Sequence, residues 1–202
     1  MKLRELIFRK RSYTPIPIAL TMFYFTSFKF PFVFVGLALI LLGELVRINA
    51  VRYAGGATRT MNVGAPSLCM SGPYSYTRNP LYLGNMIIYL GFVLFSGGPF
   101  VLELFIFVFI FFTFQYSMLI SLEEETLSEK FDNSYFIYKE NVPRLFPRLN
   151  SWVNNDNRLP NSVKKTLRTE KRSLQNIFII TVIIILKNIY SCLLYTSDAA
   201  DE

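Results

Sequence analysis

Residues 99–121, "PFVLELFIFVFIFFTFQYSMLIS", are 23 positions with a single charge, Glu103. A run of that length and polarity matches the hydrocarbon core of a bilayer, because about 20 apolar helical residues span roughly 30 Å. The run at 31–51, "PFVFVGLALILLGELVRINAV", is similar. Three shorter apolar segments stand at about 13–28, 80–96 and 174–190. With 20 Phe among 202 residues, a soluble domain of this size could not bury its apolar side chains. The expectation is an all-α, polytopic membrane helix bundle of about five transmembrane helices. Pro31 and Pro80 mark helix starts, where a missing amide hydrogen costs nothing.

The final residues, "CLLYTSDAADE" (192–202), translate a transposon-end sequencing adapter. They are set apart as an artefact tail, and 1–191 reads as one integral membrane domain. The basic N-terminal arm shows no signal cleavage site, so a retained first helix is expected. The chain carries +7 net. The basic residues gather in the N-terminal arm, at Arg52, Arg59 and Arg78, and between Lys130 and Arg172. The opposite turns, near Lys29 and at "SGGP" (96–99), are nearly free of them. That asymmetry places the N-terminus and the basic connections on the cytoplasmic side, in a bacterial-type inner membrane. The basic surplus reads as topology, so no nucleic acid is expected as a partner.

The chain has no His. That removes the usual general base, the usual metal ligand and every imidazole-dependent triad. With Cys192 in the tail, Cys69 stands alone as a small buried hydrophobe, and no metal is expected.

The tight "SGGP" turn makes the segments at 80–96 and 99–121 antiparallel neighbours. At about 1.5 Å per residue they span roughly 26 and 34 Å. The entrance "RNPLYLGN" (78–85) and the acidic exit "EEE" (123–125) therefore meet at one end. That corner holds Arg78, Asn79, Tyr82, Glu123 and Glu124 against an apolar wall. The free amide hydrogens of the helix start favour an anion. Acidic side chains at a helix C-terminus are disfavoured by about 0.3–1 kcal/mol each, which a bound cation offsets. Together they suit a zwitterion. Gly84 and Gly91 share a helix face and permit close packing. Glu44 and Arg47, three apart at the inner end of the second long segment, are either an ion pair supporting the bundle or part of an acceptor site. The stretch 148–168, with Trp152 and Leu159, suits an interfacial loop or a short surface helix.

The order of the short motifs resembles the isoprenylcysteine carboxyl methyltransferase family, within the larger group that includes phospholipid N-methyltransferases. "GPYSYTRNPLYLG" (72–84) stands where that family has Gly-Pro-Tyr followed by Arg-His-Pro-x-Tyr-x-Gly. "EEETLSEKFDNSYFIYKENVPRLFP" (123–147) stands where it has Glu-Glu-x-x-Leu, Phe-Gly-x-x-Tyr-x-x-Tyr and Val-Pro. "GELVR" (43–47) resembles an upstream segment. The resemblance implies methyl transfer from S-adenosylmethionine to a lipophilic small-molecule or lipid acceptor at the cytoplasmic face. It places Arg78, Asn79, Pro80, Tyr82, Gly84, Glu123, Glu124, Tyr135 and Tyr138 around the cofactor. Glu44 and Arg47 are the candidate acceptor-site residues. No catalytic acid or base is assigned. Two positions depart from the family pattern: Asn79 stands in place of His, and Asp132 in place of Gly. A membrane reductase with a nicotinamide cofactor and a catalytically silent membrane scaffold are the rival readings.

Overall fold

The structure, a computed structural model, describes residues 3–55 and 67–198. Arg59 and the last four residues of the adapter-like tail lie outside the described residues. Among the described residues six α-helices follow one another: α1 (Leu3–Lys10), α2 (Pro15–Tyr24), α3 (Phe32–Ala54), α4 (Pro80–Ser96), α5 (Val101–Asn141) and α6 (Val163–Asp198). Every apolar segment of the sequence is helical, and the helical membrane bundle stands. Three helices, α3, α5 and α6, are long and apolar enough to cross a membrane. The two shorter apolar helices are α2, with 10 residues, and α4, with 17.

The closest helix packing joins α3 to α4, and small residues make it possible. Gly36 and Gly43 of α3 meet Gly91 and Gly84 of α4 in antiparallel order. A Cβ on Gly36 would stand 2.3 Å from the Phe95 amide nitrogen and 2.6 Å from the Gly91 carbonyl oxygen. One on Gly43 would stand 2.7 Å from the Gly84 carbonyl oxygen. Without water to drive apolar association, such backbone approach is the main source of attraction between membrane helices.

The Gly97–Gly98 turn folds α5 back along α4, as expected. Both glycines take positive φ, 65° and 92°. The turn is stitched to the link between α2 and α3. Ser27 N donates to Ser96 O at 3.0 Å, and Gly98 N to Ser27 O at 2.9 Å. The two poorly charged turns thus lie side by side at one end, opposite the polar corner.

Two boundaries differ from expectation. α5 does not stop near residue 121; the helix continues to a kink at Asp132 and resumes to Asn141. Its extension, "LEEETLSEK", consists largely of good helix formers, so loss of the apolar pattern ends the membrane run and not the helix. Glu123 and Glu124 therefore sit inside a helix, and the dipole argument for a cation at their terminus does not hold. α6 begins at Val163, about three turns before its apolar stretch.

The segment after α5 turns back across the chain leading into α4. Arg78 N donates to Pro143 O at 3.0 Å, Arg148 N to Tyr76 O at 3.0 Å and Trp152 N to Ser75 O at 3.0 Å. The stretch 148–162 is an irregular strap with no surface helix of its own. Trp152 stacks on Tyr138 with ring centroids 5.9 Å apart.

Candidate active site

The corner expected from the hairpin exists. A cavity of about 450 Å³ opens between the start of α4 and the middle of α5, closed above by 67–79 and the strap and flanked by α1. That volume lies within the range of small-molecule sites.

The acidic triplet sends its three side chains to three partners, because successive helical positions point about 100° apart. Glu123 Oε1 accepts from the Tyr82 hydroxyl at 2.6 Å. Glu124 Oε1 accepts from Arg78 Nη2 at 2.8 Å and Nε at 3.1 Å. Glu124 Oε2 lies 3.3 Å from Arg144 Nη2. Glu125 pairs with Arg4 of α1. The two adjacent acids are thus unequal. Glu124 is neutralised twice over, while Glu123 has no cation within ion-pair range among the described residues.

Arg78 is a structural clamp as well as a cavity residue. Its Nη1 donates to Val142 O at 2.6 Å and Lys139 O at 2.9 Å, satisfying carbonyls at the α5 C-terminus. Asn79, at the His position of the resembled pattern, lines the cavity and donates from Nδ2 to Arg144 O at 2.8 Å. Pro80 opens α4 as expected. Tyr135 is buried beside Glu124 and faces the cavity; Tyr138, also lining it, donates its hydroxyl to Tyr74 O at 2.7 Å.

Of the expected cofactor residues, Gly84 is the one that the cavity does not gather. It faces α3, where a Cβ would stand 2.6 Å from Arg47 Cγ and 2.9 Å from the Gly43 carbonyl oxygen. Its role in this structure is close helix packing. Glu44 and Arg47 form the expected ion pair at long range, with Arg47 Nε 3.9 Å from Glu44 Oε2. Arg47 also reaches α6, donating from Nη2 to Glu170 Oε2 at 2.5 Å and Ser173 Oγ at 3.1 Å. Arg47, Glu170 and Ser173 line the cavity; Glu44 is buried outside its lining.

Several site residues gave no signal in the sequence. Glu170 and Arg158 line the cavity from far along the chain with no local pattern to mark them, and Arg144 meets Glu124 from twenty positions away. Phe8 and Arg11 come from the arm. Gln115 had its signal: an amide deep in the apolar run. It lines the cavity and donates from Nε2 to Thr14 Oγ1 at 2.9 Å. The Thr14 hydroxyl donates to Arg11 O at 2.9 Å, so its oxygen can only accept, and this fixes the amide orientation. Gln115 Oε1 is buried without a partner among the described residues, an acceptor that a ligand N–H would satisfy.

Outside the spanning helices, two acids in the cavity wall hold their protons. Burial pushes the Cys69 thiol from its ordinary 9.0 to about 11, against a smaller lowering by Arg158. Burial also drives the Tyr74 phenol well up. Among the described residues, no group of three His, Cys, Asp or Glu is placed to hold a metal ion.

The family model for phospholipid methyltransferases matches residues 31–134. The chain belongs to the phospholipid methyltransferase family. Among curated proteins it is similar to Protein-S-isoprenylcysteine O-methyltransferase of Saccharomyces cerevisiae, 34% identical over 111 residues. That match covers 53% of this chain and 45% of the relative, so it spans less than half of the relative's own length. No solved structure matches. Within this phospholipid methyltransferase family member, the matched stretch supplies α3, α4 and most of α5. Phe8, Arg11, Tyr138, Arg158 and Glu170 come from outside it.

The residues present fit an adenosyl amino acid. The cavity offers an acid lacking an ionic partner, an orphaned amide oxygen and an aromatic wall. In that wall Tyr82 and Tyr116 have ring centroids 4.8 Å apart, and such rings suit a flat base. The protein is an integral membrane protein, with Leu41, Leu45, Ile106, Ile110 and Phe178 among its exposed apolar side chains.

Proposed function

We propose that the chain transfers a methyl group from S-adenosylmethionine to a lipophilic acceptor. The observation that carries this reading is one cavity lined jointly by Arg78, Asn79, Pro80 and Tyr82 and by Glu123 and Glu124, within a helical membrane bundle of the methyltransferase family. When bound, the cofactor supplies a methyl already activated on a sulfonium. The protein's work is then to position the reactants and exclude water.

In this reading Glu123 takes the amine of the donor, since its neighbour Glu124 is committed to Arg78 and Arg144. Tyr82 orients that carboxylate by its hydrogen bond. Glu124, Arg78 and Arg144 hold the segment that follows α5, with Asn79 tying that segment to the start of α4. Tyr135 and Tyr138 close the wall on that side. Arg47, bridged to Glu170, marks the acceptor end. A carboxylate acceptor needs no base. An amine would have to lose a proton before attack, and the chain has no His to take it. A carboxylate is therefore favoured. The basic connections put this end at the cytoplasmic face, where the donor enters from water and the acceptor from the bilayer.

Transfer of labelled methyl from S-adenosylmethionine into a membrane lipid extract tests the proposal. The expected product carries base-labile label, as a methyl ester does. Base-stable label would move the acceptor class to amines. No labelled product from any extract, with the folded protein binding the donor, would favour a silent scaffold.

A further inference from the structure

Most cavity charges are already paired. Glu124 is held by Arg78 and Arg144, Glu170 by Arg47, and Arg158 lies 3.9 Å from Asp156. Among the described residues two charges are left over, and they have opposite sign. Glu123 has only the Tyr82 hydroxyl. Arg11, in the turn after α1, has only Phe8. Its Nη1 donates to Phe8 O at 2.8 Å, and its guanidinium lies 4.0 Å over the Phe8 ring. Among the described residues no carboxylate lies within ion-pair range of it.

The position of Arg11 is fixed, not accidental. Phe8 is buried in the main core at 6% exposure. α1 packs on α5 and is tied by Arg4 to Glu125, two positions beyond Glu123. Arg11 and Glu123 line the same cavity. The Arg11 charge acts on both Glu123 and Tyr82, yet the two do not touch. Opposite charges in a poorly hydrated space attract strongly. Lining one cavity without pairing, they suit a molecule carrying both signs.

We infer that Arg11 binds the carboxylate of the methyl donor's amino acid end, with Glu123 on its amine. This rests on the methyltransferase reading and gives it a residue outside the family match, which begins at 31. The N-terminal arm is then part of the cofactor site and not only a leading helix.

The test compares S-adenosylhomocysteine with its decarboxylated counterpart, measured as equilibrium binding to the full chain in detergent. A charge-assisted contact of this kind gives a preference for the carboxylate-bearing ligand of about tenfold or more. Arg11→Gln is expected to erase that preference while leaving the decarboxylated ligand's affinity unchanged. Arg11→Lys keeps the charge and is expected to retain a preference of the same sign. Equal weakening of both ligands by Arg11→Gln would show a structural role and overturn the inference. So would the absence of any preference in the unaltered protein. If the unaltered protein binds neither adenosyl ligand, the methyltransferase reading fails and takes this inference with it.

Discussion

The Tyr82 hydroxyl donates to Glu123 at 2.6 Å across 41 positions of sequence. That bond joins the start of α4 to the middle of α5 and sits on the cavity wall. Beside it, Glu124 turns away to two arginines. Two adjacent carboxylates thus take different work, one facing a ligand and one holding the fold.

The division has a direct consequence for Glu124→Gln. The Arg78 side chain is only 8% exposed. Removing its carboxylate leaves a buried charge without compensation, which costs about 3 kcal/mol. Ligand-free unfolding in detergent is expected to show a loss of that order. Glu123→Gln, which strips no cation of its partner, is expected to melt close to the unaltered protein. Equal losses for the two would show that the acids are interchangeable.

Asp132 takes φ 40° and ψ −119° inside α5, a left-handed conformation that disfavours any side chain. It stands where the resembled pattern has Gly. Asp132→Gly is expected to stabilise the protein by about 1 kcal/mol, since strain of this kind costs about 1–3 kcal/mol and added freedom in the unfolded chain offsets part of the gain. Asp132→Ala, which keeps the strain, is expected to give no gain. The same melting experiment reads both.

Cys69 supplies a pH-dependent probe of the cavity. Its thiol, pushed up to about 11 by burial, is protonated at neutral pH, and only the thiolate reacts with alkylating reagents. With Cys192→Ser as background, alkylation is expected to be slow at pH 7. It should accelerate about tenfold per pH step until near 11. The same shift makes a stability term that is intact below the ordinary value near 9 and is lost as pH rises towards 11. Saturating S-adenosylhomocysteine is expected to slow the alkylation. A rate that levels off near pH 9, or is indifferent to ligand, would place Cys69 outside the site.

The sequence made the hairpin legible because its marks are local. Pro80 starts α4, and "SGGP" ends it. Two apolar runs on a tight turn then force "RNPLYLGN" and "EEE" together. What stayed hidden was pairing at long range. Nothing near Arg144 or Glu170 announces that each meets a charge far away, and nothing near Arg11 announces a cavity. The end of α5 was misplaced because an apolar pattern reports the membrane, whereas a helix continues wherever its residues allow. Gly84 illustrates a different limit. A glycine that admits close approach looks the same whether a ligand or a helix approaches, and here it is α3.

Equilibrium binding of labelled S-adenosylmethionine to the purified protein tests the central claim most directly. Saturable binding is expected. Glu123→Gln should weaken it about tenfold or more and Tyr82→Phe by a smaller factor, with both variants folded. No saturable binding by the folded protein, or binding untouched by either substitution, would contradict a donor site between α4 and α5.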